Sequence, residues 1–478
     1  MPRRASRRHF VRTSLAAAGA LACPWPGARP AAAARTTAPG RPLAPDPRSG
    51  WRGASSAAMQ LRAERGPTPP APDLPVPDLL PPPATASATL AERFPDLSRH
   101  FVFEYYPWYD RESYRHWDQW DRVPPDDIAS NYVPRLGAYD SLDRAVLDRH
   151  ARWIQESGVG AVNLSWWGPG SWEDRAVPRV MDAMADHGIK VTFHLEPYED
   201  RRAQRFAEDV LYLIREYGDR RRWDAFLLLR DEHGHEGPLF KGFRCILPAE
   251  YTDCHGAVRR VRDFTPDDEW SRQTDGLRHA LRHDFHHVTL LADSLEFRRT
   301  PASGFDGIAI YDPFVPPEDY AGYAAGASAA GLVFSFSVNA GFDGIDPRAE
   351  ADRGECYEPV PFAPPTPGLD WTSPDAPERA AEKSLERVAE SLEATLAVQT
   401  DPRLANVRRG FFLAYLTSFN EWHEGTAFEP MKGAAELTAA ERVFPYHNPE
   451  QGDHRLAALA RRVRDVLRPT SLAPDRRA

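Results

Sequence analysis

From residue 100 onward, short apolar runs rich in β-branched and aromatic residues recur along the chain. They are FVFEYY (101–106), GAVNLSW (160–166), IKVTFHL (189–195), FLLL (226–229), HVTLLAD (287–293), GIAIYD (307–312), LVFSFSV (332–338) and FFLAYLTS (411–418). Each is short and nearly continuous in apolar character, the pattern of a strand covered on both faces. Between them, apolar residues fall at helical spacing. Leu142, Val146, Trp153 and Ile154 mark a helix over 142–157 that Gly158 would stop. Leu385, Val388, Leu392 and Leu396 mark another over 377–397, and further helices fit near 174–187, 203–217, 269–283 and 317–329. Eight strands alternating with helices predict an α/β fold, a (β/α)8 TIM-type barrel forming a single domain over 95–470. An open doubly wound sheet is the alternative, but no Gly-rich phosphate fingerprint follows the first strand.

The pattern fades before residue 95. Eighteen of the 46 prolines lie before residue 96. A stretch so rich in Pro, Ala and Arg buries too little apolar surface to offset its ordering entropy, so 35–94 is expected to be a disordered linker. Residues 1–34 carry SRRHFVR and then the alanine-rich run TSLAAAGALA. Paired Arg7 and Arg8 with Phe10 ahead of that run resemble a twin-arginine export signal, and a basic tail is the alternative. The signal implies the twin-arginine machinery as a partner and a periplasmic, cell-surface or extracellular address. Cys23 is also a poor candidate for lipidation.

The net charge of −10 argues against a nucleic-acid protein driven by basicity. No apolar run reaches the ~20 residues of a membrane span. Past the signal, Cys245, Cys254 and Cys356 remain. Cys245 and Cys254 could close a short loop in an oxidising compartment, or all three could be idle thiols.

In a barrel the working residues follow the C-terminal ends of the strands. Those positions hold YYPWYD (Tyr105, Tyr106, Trp108), SWWGPGSW (Trp166, Trp167), HLEPYEDR (His194, Glu196), Tyr311, and SFNEWHEGTAFEP (Asn420, Glu421, His423, Glu424). Aromatics among carboxylates suit a sugar, whose C–H faces stack on rings while its hydroxyls bond carboxylates. Glycoside cleavage needs a proton donor for the leaving oxygen and a second carboxylate on the anomeric side, which Glu421 and Glu424 could supply. His423 between them could bond substrate or tune a neighbour. Each Trp is equally open to a core role, and Glu196 to an ion pair with Arg201 or Arg202. Asp231-Glu232-His233-Gly234-His235-Glu236 reads as a charged loop insertion rather than a metal site.

The motifs YYPWYD, SWWGPGSW, FHLEPYEDR, GFDGIAIYDPF and TSFNEWHEGTAFEP resemble, in order, those of glycoside hydrolase family 99, over about 100–430. The resemblance implies a (β/α)8 barrel and a retaining, endo-acting hydrolase of internal α-1,2-mannosidic linkages, with no metal or other cofactor. It implies that Glu421 deprotonates the substrate 2-hydroxyl, giving a 1,2-anhydro sugar, and that Glu424 is the general acid and then base. Tyr105 or Tyr106, Trp167, Glu196, Tyr311, Asn420 and His423 match cleft positions of the family, so an α-linked, mannan-type glycan is the expected partner. A non-catalytic glycan-binding surface protein and a polysaccharide-assembly protein are the alternatives. The chain departs from the family at Ala309-Ile310-Tyr311 and in SVNAGFDGIDPRAE, where Arg348 is the candidate arginine. It also departs over 230–265, which has no recognised counterpart.

Overall fold

The computed structural model describes residues 86–198, 202–349 and 359–468. The apolar runs form strands β1 (Phe101–Tyr105), β2 (Ala161–Trp166) and β3 (Lys190–Leu195). Then come β4 (Leu228–Arg230), β5 (Glu236–Gly242), β6 (Glu250–Thr252) and β7 (Val258–Arg260). β8 (Thr289–Ala292), β9 (Gly307–Ala309), β10 (Val333–Ser335), β11 (Ser337–Asn339) and β12 (Ala414–Thr417) complete the set. The parallel wall runs β10-β9-β8-β5-β3-β2-β1-β12-β11. β10 and β11 are the two halves of one run, interrupted at Phe336. β10 pairs with β9 and β11 with β12, so continuity of the chain closes an eight-position barrel.

Strand periodicity sorts the side chains into two cores. Phe101, Phe103 and Tyr105 of β1, Val162, Leu164 and Trp166 of β2, and Val191 and Phe193 of β3 face outward into the layer beneath the helices. Val102, Ala161, Leu239, Leu291, Ala309, Val333 and Tyr415 fill the barrel interior. The expected helices form at 144–157, 172–186, 203–213, 267–281, 320–329 and 376–400. The Arg144–Ser157 helix starts at Asp143, whose carboxylate accepts from the Ala145 N–H, and ends at Gly158, which takes the left-handed conformation at φ 87°.

Two expectations change. FLLL supplies only the foot of the fourth wall position, where Phe226 bridges Val191 of β3 in parallel; β4 then pairs antiparallel with β5, and β5 carries the wall between β3 and β8. The charged segment is a loop as expected: 231–235 is the turn of that hairpin, and Glu236 opens β5. Asp231 accepts from the His233 and His235 N–H groups there, and Gly234 sits at φ 81°. Among the described residues no His, Cys, Asp or Glu group is arranged to hold a metal ion. Finally, the expected linker ended too late. A helix at Ala86–Arg93 precedes Phe94, and Leu90 and Phe94 are buried in the outer core. The export-type segment, Cys23, Arg201 and Cys356 lie outside the described residues. No described helix is long and apolar enough to cross a membrane.

Candidate active site

The chain leaving β12 folds back on itself. Ser418 receives the Phe428 N–H on its carbonyl, and its hydroxyl bonds Thr426 Oγ1 at 2.8 Å. The same hydroxyl accepts from the Glu421 N–H at 2.8 Å. Gly425 makes the turn possible. It sits at φ 62°, and a Cβ there would lie 2.4 Å from the Asp343 carbonyl oxygen. The turn presents Glu421 and Glu424 at the C-terminal mouth of the barrel.

Glu421 is buried. Its Oε1 accepts from the His423 N–H at 3.1 Å and lies 3.4 Å from His423 Nδ1, while its Oε2 has no hydrogen-bond partner. Burial raises its pKa well above the ordinary range, and the charge of Glu424 adds to this. Glu424 Oε2 accepts from the Tyr311 hydroxyl at 2.7 Å. Burial pushes Glu424 up to about 7, against the Tyr311 hydrogen bond and the Arg244 charge, which hold it down. Two buried carboxyl groups of raised proton affinity beside a neutral phenol can hold and exchange protons near neutral pH.

The wall beside Glu421 is aromatic. Trp108 stacks on His116 at 4.5 Å and 8°, and His116 stacks on His423 at 5.4 Å. His423 Nε2 donates to the His116 carbonyl at 2.7 Å. Burial lowers His423 to about 4, so the ring is neutral at pH 7, with Nδ1 toward Glu421.

The opposite side comes from β2 and β3. Trp167 Nε1 donates to Ser165 Oγ at 3.1 Å, and that hydroxyl donates to Glu196 Oε1 at 2.8 Å. Burial raises the Glu196 pKa, partly offset by His194, whose Nε2 lies 3.8 Å away. Beneath them Glu104 accepts from Lys241 at 2.6 Å, from Asn163 at 2.8 Å and from His194 Nδ1 at 3.0 Å.

The expected site residues thus divide. Glu421, Glu424, Tyr106, Trp108, Trp167, His194, Glu196, Tyr311 and His423 gather at one mouth. Tyr105, Trp166 and Asn420 do not face it. Tyr105 bonds His150 Nδ1 at 2.9 Å in the outer core, and Trp166 donates to Asp174 at 2.9 Å there. Both occupy outward positions of their strands, one residue out of phase with the interior. Asn420 is fully buried and spent: Oδ1 accepts from the Tyr106 N–H, and Nδ2 donates to the Tyr106 carbonyl and the Tyr139 hydroxyl. It clamps the end of β1 to the catalytic turn. Arg348 is bound by Asp127 at 2.6 and 2.7 Å. Cys245 keeps a buried thiol directed at the Gly242 carbonyl, so it closes no loop with Cys254, which is disulfide-bonded elsewhere.

Sequence reading missed Glu104, Asn163 and Lys241. Glu104 and Asn163 occupy interior positions of recognised strands, a signal that parity alone could have supplied. Lys241 lies on β5, which none of the recognised apolar runs covers.

Residues 96–240 match the family described as Glycosyl hydrolase family 99. A glycoprotein endo-alpha-1,2-mannosidase-like protein of Danio rerio is 30% identical over 387 residues, 74% of this chain and 75% of that protein. The glycoprotein endo-alpha-1,2-mannosidase of Mus musculus is 27% identical over 406 residues, 77% of this chain and 75% of that protein. Among solved structures, an endo-alpha-mannosidase from Bacteroides thetaiotaomicron shares the fold with a TM-score of 0.52 and 23% identity, covering 77% of this chain and 97% of that one.

Proposed function

This chain belongs to glycoside hydrolase family 99, and on that premise we propose that it is an exported, retaining hydrolase that cuts internal α-1,2-mannosidic linkages. Its glycoside hydrolase activity and its action on α-mannosides follow from the family; the linkage, residue roles, route and address are the proposal.

In an α-mannoside the 2-hydroxyl and the leaving oxygen are both axial and anti to one another. The 2-oxygen can therefore attack C1 from behind without a protein nucleophile. Glu421 takes the proton from the 2-hydroxyl as the O2–C1 bond forms. Glu424 gives its proton to the glycosidic oxygen as the C1–O bond breaks, leaving a 1,2-anhydro sugar. Water then attacks C1 as the C1–O2 bond breaks. Glu424 takes its proton, and Glu421 returns the first proton to O2. Two inversions give net retention.

The observation that carries this reading is Glu421 Oε2, a buried carboxyl oxygen without a partner. Leaving such an atom unbonded is costly, and a substrate hydroxyl would supply the missing bond. That bond favours the charged form and lowers the Glu421 pKa as the sugar binds. Binding then leaves Glu421 as the base and the proton on Glu424.

The test is incubation of the full chain with an α-1,2-linked mannan, with the new reducing end followed by NMR. Release of internal fragments that first appear as the α-anomer is expected. No release, or a β-anomer first, rejects the proposal. The export reading rests on Arg7 and Arg8. Replacing both by Lys is expected to hold the protein in the cytoplasm of a host with twin-arginine machinery, and unchanged export overturns it.

A further inference from the structure

A charged cluster is an unusual filling for the inside of a small barrel, where burying an ion is costly unless it is paired. Here Glu104 and Lys241 are both fully buried at 2.6 Å. Lys241 is one of only four lysines among 59 basic residues. A guanidinium would bring five donors into this space, whereas a compact ammonium needs fewer acceptors.

The cluster is directional. Glu104 Oε1 accepts from Lys241, and Oε2 accepts from Asn163 and from His194 Nδ1. Burial by itself would raise the Glu104 pKa, but the Lys241 charge and the hydrogen bonds from His194 and Lys241 outweigh it and bring it to about 2. An ionised carboxylate only accepts, so the hydrogen between it and His194 sits on Nδ1. The other ring nitrogen, Nε2, is buried and has no partner. Glu196 Oε1 is 3.8 Å from it, beyond hydrogen-bonding distance. Phe243 packs on the imidazole at 5.0 Å, and Tyr311, the residue that holds Glu424, meets it edge-on at 6.0 Å.

We propose that Glu104 and Lys241 are positioning residues for the reaction: they fix the proton of His194 on Nδ1, so that Nε2 meets the bound sugar as a lone-pair acceptor beside Glu196. Lys241 keeps Glu104 an acceptor, Glu104 sets the tautomer and orientation of His194, and Nε2 takes a proton from one sugar hydroxyl. The inference rests on the reading that this cleft receives an α-mannoside chain. It adds that the cleft selects for a hydroxyl, not an ether or a deoxy carbon, at the position facing β3. Lys241→Met acts the same way as a change at Glu104, because it removes the counter-charge that keeps Glu104 ionised.

Two measurements test it. The first needs no substrate: the nitrogen NMR spectrum of the full chain with labelled histidine, with the His194 signals assigned by their loss in His194→Gln. The Nδ1–H tautomer is expected in the wild type. A ring protonated on Nε2 near neutral pH overturns the proposal, whatever the enzyme cleaves. The second compares wild type with Glu104→Gln on α-1,2-linked mannooligosaccharides. The Gln amide, with Lys241 on its oxygen, turns its NH2 toward His194 and moves the ring proton to Nε2. KM is expected to rise about tenfold or more while kcat changes much less, because a hydrogen bond that holds substrate is lost and a donor now faces a donor. A folded Glu104→Gln protein with unchanged KM overturns the proposal. If Glu104→Gln fails to fold, the wild-type spectrum still decides. A wild type inactive on mannans with the Nδ1–H tautomer in place rejects the substrate and leaves the positioning chain standing.

Discussion

The Tyr311 hydroxyl donates to Glu424 Oε2 at 2.7 Å, joining the chain just past β9 to the turn that follows β12. The bond stabilises the charged form of Glu424 and so opposes the upward push of burial.

Removing it by Tyr311→Phe is expected to raise the Glu424 pKa further. Glu424 must carry its proton to act as an acid, so kcat/KM falls as pH rises through its pKa of about 7 in the wild type. In Tyr311→Phe the alkaline limb should move upward by roughly half a unit to one unit, with a loss of activity of about tenfold. A pH–rate profile measures both, and an unmoved limb would disconnect Tyr311 from the acid.

Glu421→Gln and Glu424→Gln should each lower kcat by about a hundredfold or more, since the amide keeps the shape but carries no proton. Stability should change in the opposite direction. Both groups have folded pKa values above their unfolded ones. Their favourable contribution is therefore complete below the unfolded value of 4.5 and is lost as pH rises through the folded value, near 7 for Glu424. The Tm advantage of each Gln variant over wild type should widen as the pH is raised from acid to mildly alkaline. Thermal melts across that range decide it, and an advantage confined to acid overturns the expectation.

Two adjacent tryptophans should behave differently. Trp166 is in the outer core and holds Asp174, so Trp166→Phe should lower stability by about 2–3 kcal/mol and leave the KM of the folded enzyme unchanged. Trp167 is half-buried at the mouth, so Trp167→Ala should raise KM severalfold with a smaller change in Tm. Urea unfolding and steady-state kinetics on both variants distinguish the roles.

Asn420→Ala would strip the Tyr106 N–H and carbonyl and the Tyr139 hydroxyl of a buried partner. A loss of about 2–4 kcal/mol is expected. If denaturant unfolding shows less than ~0.5 kcal/mol, the clamp is not structural.

Much of this molecule can be read from its residues, and the failures have physical reasons. Seven wall strands announce themselves because both faces are buried and their apolar runs are continuous. The eighth, β5, reads EGPLFKG. Its Gly and Pro weaken the strand signal, and its interior Lys241 looks like a surface charge until Glu104, 137 residues away, supplies the partner. No local pattern reveals such a pair. The catalytic turn was legible because polar residues crowded behind an apolar strand need a task. Tyr105 and Trp166 were misplaced for a simpler reason: alternation along β1 and β2 puts them outside and Tyr106 and Trp167 at the mouth. Asn420 looked like a ligand because its amide is polar, and only the folded chain shows that the backbone of Tyr106 uses all of it.

The interruption at Phe336 has a mechanical meaning. Ladder hydrogen bonds bind β10 to β9 and β11 to β12, and none joins the two halves to each other. Across that gap the hoop is held by covalent chain, by the Tyr415 N–H on Ser335 Oγ at 3.3 Å, and by the ring of Phe336, which is pressed against Tyr320 at 4.7 Å and Phe334 at 5.5 Å. The aromatic clasp is the cylinder's seam, and hydrogen exchange should find the amides beside it loosening before those of any other stave.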